Sequence, residues 1–213
     1  MGALTAAAIL LFSASGAAAP QIEPTGPMTD AAVPAAVRAS LEPKGVRLTM
    51  PNGPYCDLWL RKNIPDAKNA APGALHSELG FASAVGLIRF LTAATDFRGQ
   101  TIRPGLYTLR YALHPTDGDH LGVSDYPDFL LLIPAAEDPD IDAGFKFEDL
   151  VNSSRKATGT RHPGVLSLTR PSGTSFPSVT TNALGHVVLQ VKAKLRSGGE
   201  MPIALVIKGR SEQ

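Results

Sequence analysis

The sequence predicts an all-β protein, an antiparallel β-sandwich of about eight strands carrying two short helices, and three observations lead there. Apolar and polar residues alternate with period two in segment after segment. Those segments are separated by Pro- and Gly-rich turns, and helical spacing occurs in only two places, so no βαβ repeat is present. A barrel is the alternative all-β arrangement.

Residues 20–33 are rich in Pro, Ala and Thr without periodicity, and read as a flexible lead. From Pro34 to Glu42, Val37 and Leu41 stand four apart before Pro43 and Gly45, which predicts a short amphipathic helix. Val46, Leu48 and Met50 alternate with Arg47 and Thr49. The turn 51–54 follows, and then Cys56, Leu58 and Leu60 alternate with Asp57, Trp59 and Arg61, giving two tightly joined strands. Residues 62–76 are loop by composition. Residues 83–91 form an apolar strand whose Gly86 marks a bulge or the close approach of another backbone.

The stretch from Phe97 to Ala136 holds the clearest strand patterns. After Pro104-Gly105, Tyr107, Leu109, Tyr111 and Leu113 alternate with Thr108, Arg110, Ala112 and His114. Residues 128–133 are an apolar run set between prolines, predicting a central strand covered on both faces. Phe147, Leu150 and Val151 fall at i, i+3 and i+4, and Gly159 can end that helix after about three turns. Val165 to Thr169 is strand again, and a hairpin joins 187–195 to 203–207 across Ser197-Gly198-Gly199.

At 213 residues the chain can bury a substantial core, expected as one domain over 34–213. A formal charge of +1 with 18% charged residues offers no polybasic field, which argues against nucleic acid as a partner. Residues 1–19 contain no charged side chain. They have an apolar centre at 6–12 and end in Ala17-Ala18-Ala19 before Pro20, the pattern of a secretory signal peptide whose apolar region is too short to span a bilayer. The expectation is a secreted or periplasmic protein whose mature chain starts near Pro20 and carries no integral membrane segment. Cys56, the only cysteine, can form no internal disulfide, and reads as a buried thiol on the apolar face of its strand, with a nucleophilic role as the alternative.

Ile102 to Leu109, with its Pro-Gly-x-Tyr-x-Leu pattern, resembles the strand opening of many exported bacterial β-sandwich modules, among them transthyretin-like and carboxypeptidase-regulatory-like domains. With residues 45–62, 97–136 and 153–168 added, the chain is similar over about 40–210 to exported bacterial proteins of uncharacterised function. The resemblance implies an exported sandwich. It transfers no catalytic residue.

Two polar constellations invite chemistry. His114, Asp117, Asp119, His120 and Asp125 sit in or beside one Gly-rich loop, with His162 and His186 elsewhere, and could ligate zinc or form an ordinary polar turn. Asp138, Asp140 and Asp142, followed by Asp149 at a helix start, resemble a calcium loop in which Ala143 holds the sharp-turn position and the last ligand is Asp in place of Glu. Otherwise they are a solvated acidic loop ahead of a helix N-terminus. Trp59 could stack a ligand if its sheet face is open, or join the core if a loop or the 147–158 helix covers it. No GxSxG, HExxH, Walker or GxGxxG motif is present. The sequence therefore favours a non-enzymatic exported module that binds a protein partner or small ligand through loops near 114–127. The alternative is a metal-dependent or carboxylate-based hydrolase using the same loops.

Overall fold

The computed structural model describes residues 18–69, 71–115, 124 and 126–209. Twelve strands and two α-helices follow the chain: β1 (Gln21–Thr25), α1 (Ala35–Ser40), β2 (Gly45–Met50), β3 (Gly53–Leu60), β4 (Ala84–Phe90), β5 (Ala94–Thr95), β6 (Thr101–Ile102), β7 (Gly105–Leu113), β8 (Asp128–Pro134), α2 (Phe147–Thr158), β9 (Val165–Thr169), β10 (Ser178–Thr181), β11 (Val187–Lys194) and β12 (Glu200–Lys208). Ten of the strands form one antiparallel sheet in the order β1-β2-β3-β4-β7-β8-β9-β12-β11-β10, and β5 pairs with β6 as a separate ribbon.

The sheet curls until its edge strands β1 and β10 approach each other, without a ladder between them among the described residues. The architecture is thus one nearly closed, barrel-like sheet, and the sandwich of about eight strands is corrected. One inner core confirms the curl, since Leu48, Ile88, Leu109, Leu130, Leu189 and Ile203, from strands on all sides, belong to a single apolar cluster. Near-closure removes most of the exposed edge that an open sheet would leave.

Segments outside the sheet cover much of its outer face. The stretch before β2 does not trail free, as its composition predicted. Gln21–Thr25 pairs with β2 in the register Gln21↔Thr49 to Thr25↔Gly45, and Met28, Val33 and Val37 pack with Trp59 and Leu87. The strand was hard to read because Ile22 is its only large apolar side chain and Pro24 removes a donor, which an edge strand tolerates. Elsewhere α2 lays Leu150 on Phe129, Leu131 and Ile133, while Phe97, after β5, packs on Val188 and Val206. β8 is in consequence buried on both faces up to Ile133, as its unbroken apolar run predicted.

Gly86 explains itself. The β4–β7 register shifts between Ala84 and Gly86, and a Cβ at Gly86 would stand 2.2 Å from the Trp59 carbonyl oxygen, so the strands meet only because no side chain is there. Gly159 ends α2 in the left-handed conformation at φ 70°, where glycine bears no Cβ penalty.

Candidate functional site

A groove of about 600 Å³ lies on the outside of the sheet. Its floor is cross-strand geometry. Phe129 and Leu131 of β8 pair in register with Ser167 and Val165 of β9, and period two sends this set to the outer face. One wall is α2, where Phe147, Val151 and Arg155, spaced four apart, form a single helix stripe beside the Leu150 stripe that grips the sheet. The facing wall is the 96–100 turn between β5 and β6, and the ends are His114-Pro115 after β7 and Arg161-His162-Pro163 after α2.

Hydrogen bonds fix these walls. The buried Asp96 carboxylate accepts from the backbone N–H groups of Arg98 and Gln100, both at 2.9 Å. Burial raises the Asp96 pKa above its ordinary value, while those donors pull the other way. The Gln100 amide donates to the Pro163 carbonyl at 3.1 Å and accepts from the Thr160 hydroxyl at 2.9 Å, joining the turn to the end of α2. His114 stacks on Phe129 with centroids 4.4 Å apart, and its backbone N–H donates to the Pro127 carbonyl.

The rim is basic. Arg98, Arg155, Arg161 and His162 are exposed at the groove, and Asp96 is the one carboxylate among its described lining residues. Arg155 donates to the Asn152 side-chain oxygen at 2.6 Å. Among the described residues none of the three arginines lies within salt-bridge distance of a carboxylate.

Of the residues singled out from sequence, His114 and His162 come together at this groove. Asp117, Asp119, His120 and Asp125 lie outside the described residues. The acidic loop is organised around arginines, which take up the carboxylates of Asp138 and Asp142. Asp138 is buried and takes a bidentate pair from Arg110, at 2.8 Å from Nε and 2.6 Å from Nη2. Asp140 gives its carbonyl to Arg110 and its carboxylate to the Asp142 N–H, and the Asp142 carboxylate pairs with Arg61. That pairing holds the Asp142 pKa below the usual carboxylate value. Asp149 is exposed in the first turn of α2. Among the described residues no group of three or more His, Cys, Asp and Glu is placed to hold a metal ion.

Trp59 is no open platform. It is 4% exposed, covered by the N-terminal segment and α1 rather than by α2, and its indole N–H donates to the Gly26 carbonyl at 2.8 Å. Cys56 is fully buried in the inner core, and burial pushes its thiol pKa up, which keeps it protonated and unreactive. His186 is also buried, edge-on to Phe97 with centroids 4.7 Å apart.

A third cluster was not foreseen. The buried Asp128 carboxylate accepts from the N–H groups of Leu75 and His76 and, at 2.6 Å, from the Tyr111 hydroxyl, pinning the 62–83 connection to β7 and β8. Burial and the neighbouring carboxylate raise the Tyr111 pKa. The His76 ring is buried, its Nε2 has no hydrogen-bond partner among the described residues, and burial lowers its pKa from 6.5. Below that ordinary value the unfolded chain binds a proton that the fold resists, so stability falls as pH drops. The melting temperature should therefore fall between about pH 7 and pH 5, with a shallower slope in His76→Gln; equal slopes in the two proteins would remove His76 from the account.

The fold and site together define an antiparallel β protein with a nearly closed sheet and an external, basic-rimmed apolar groove. No family model, no curated protein and no solved structure matches the chain. No helix among the described residues is long and apolar enough to cross a membrane.

Proposed function

We propose that this protein is an exported, non-enzymatic binding protein that takes a small ligand in the groove beneath α2. The observation that carries the reading is the groove itself. Its volume of about 600 Å³ falls within the range of small-molecule sites, and it combines an apolar floor with a few polar groups at its margin. It opens beside His114, at the start of the loop the sequence favoured for binding. Export is supported by the 1–19 pattern and by β1 beginning at Gln21, immediately after the expected cleavage point.

Val151→Trp places an indole in the groove from its helical wall. A thermal-shift screen with neutral, cationic and anionic small molecules should yield ligands that raise the melting temperature of the native protein and not of this variant, checked for folding by circular dichroism. The reading fails if no compound stabilises the native chain, or if every hit stabilises the variant equally. The hydrolase alternative draws on one observation, that His114 and His162 line the same groove. It predicts an ester- or phosphoester-cleaving activity that His114→Gln/His162→Gln abolishes while the fold is kept.

A further inference from the structure

We infer that the groove's ligand is a small amphipathic organic anion, with an apolar body against Phe147, Val151 and Val165 and a carboxylate or phosphate head among Arg98, Arg155 and Arg161. The inference rests on the groove being a binding site, as proposed above, and adds the chemistry of what occupies it.

The two halves of the groove divide by chemistry. Phe147, Val151 and Val165 keep part of their carbon surface in solvent at the groove, backed by Phe129 and Leu131, which are already buried. An acyl chain or aromatic body placed there would bury apolar area on both sides at once. Three guanidinium groups come from three separate segments, the 96–100 turn, the last turns of α2 and the loop after it, and all three reach the same cavity. Guanidinium forks match carboxylate and phosphate oxygens, and none of these three is committed to a carboxylate among the described residues.

Among the described residues the opposing charges are accounted for. Asp96 is the one carboxylate among the described lining residues, and its oxygens face the N–H groups of its own turn. Glu148 is exposed on α2 beside Phe147 and Arg155, on the far side of the Phe147–Val151 stripe, where a shallower hollow opens. A cationic ligand would face three like charges, and a neutral one would gain no charge-assisted bond from the guanidinium groups.

The test is titration calorimetry of the mature protein with decanoate, decyl phosphate and decanol, each below its aggregation concentration. One equivalent of decanoate or decyl phosphate should bind, with decanol about tenfold weaker or more, as expected for loss of charge-assisted hydrogen bonds. The stronger of the two anions identifies the head group. Arg98→Gln/Arg161→Gln, both at exposed positions, should cost the anions about tenfold and leave decanol unchanged. Asp96→Asn keeps an acceptor for the turn while removing the negative charge, and should tighten anion binding only.

Decanol binding as tightly as the anions, or an arginine double variant that weakens all three alike, would overturn the anion inference and leave the groove reading intact. Binding that Val151→Trp does not touch, or no binding of any of the three by the folded native protein, would overturn both.

Discussion

Replacing Arg110 with Met is expected to cost about 3–5 kcal/mol of stability, because it leaves the Asp138 carboxylate buried without a counter-charge. Both side chains of the pair are 1% exposed. All five guanidinium N–H positions are used: two bonds go to Asp138, and the others to the carbonyls of Ala82, Ala143 and Asp140. Phe145 lies over the guanidinium, 4.8 Å from its ring centroid. The residue thereby fastens two stretches of chain, the turn at Ala82 and the 138–145 loop, to the outer face of β7. Arg110→Met/Asp138→Leu should recover part of the loss by removing the stranded charge, but not all of it, since three carbonyls still lose their donor. Urea denaturation of the four proteins in the cycle measures this; a single-variant loss below about 1 kcal/mol would mean that water replaces the guanidinium and that the clasp is dispensable.

How much of this was legible follows from which physics acts locally. Period two along 46–50, 105–113 and 187–194 reflects a sheet with a dry inside, and the unbroken apolar run at 129–133 reflects a strand under α2; both survive in the sequence because each strand records its own two faces. Near-closure of the sheet is recorded nowhere locally. It depends on strand number and stagger, and β1, β5, β6 and β10, at two to five residues each, are too short to announce themselves.

The alternating aspartates were visible but their partners were not. Arg110 and Asp138 are 28 positions apart, and Arg61 and Asp142 are 81, so a row of carboxylates that resembles a cation loop meets guanidinium groups instead. The groove was partly visible. Phe147, Leu150 and Val151 share an apolar helix face in the sequence, yet only the fold shows that Leu150 grips the sheet while Phe147 and Val151 line the groove with Arg98 and Arg161. A buried, Asx-type turn at Asp96 carries no motif that would have called attention to that wall.

Trp59→Ala should be the second large loss, about 3–5 kcal/mol, since the ring is the centre of the cluster that holds the N-terminal segment down. The ring lies so close over Gly45 that a Cβ there would stand 2.6 Å from the indole nitrogen, and Arg89, paired with Asp30, sits 5.8 Å from its centroid on the other side. The indole N–H donating to the Gly26 carbonyl ties residues 26–33 to β3. Trp59→Phe keeps most of the apolar contact and loses that bond, so it should cost about 1–3 kcal/mol, the penalty of a desolvated carbonyl without its donor. Because the chain has one tryptophan, far-UV circular dichroism must follow the unfolding in place of intrinsic fluorescence. Limited proteolysis separates the roles. If Trp59 is the anchor of the segment, Trp59→Ala opens residues 20–33 to cleavage while decanoate binding at the distant groove is unchanged. Loss of groove binding in a folded Trp59→Ala protein would instead return this residue to the ligand site.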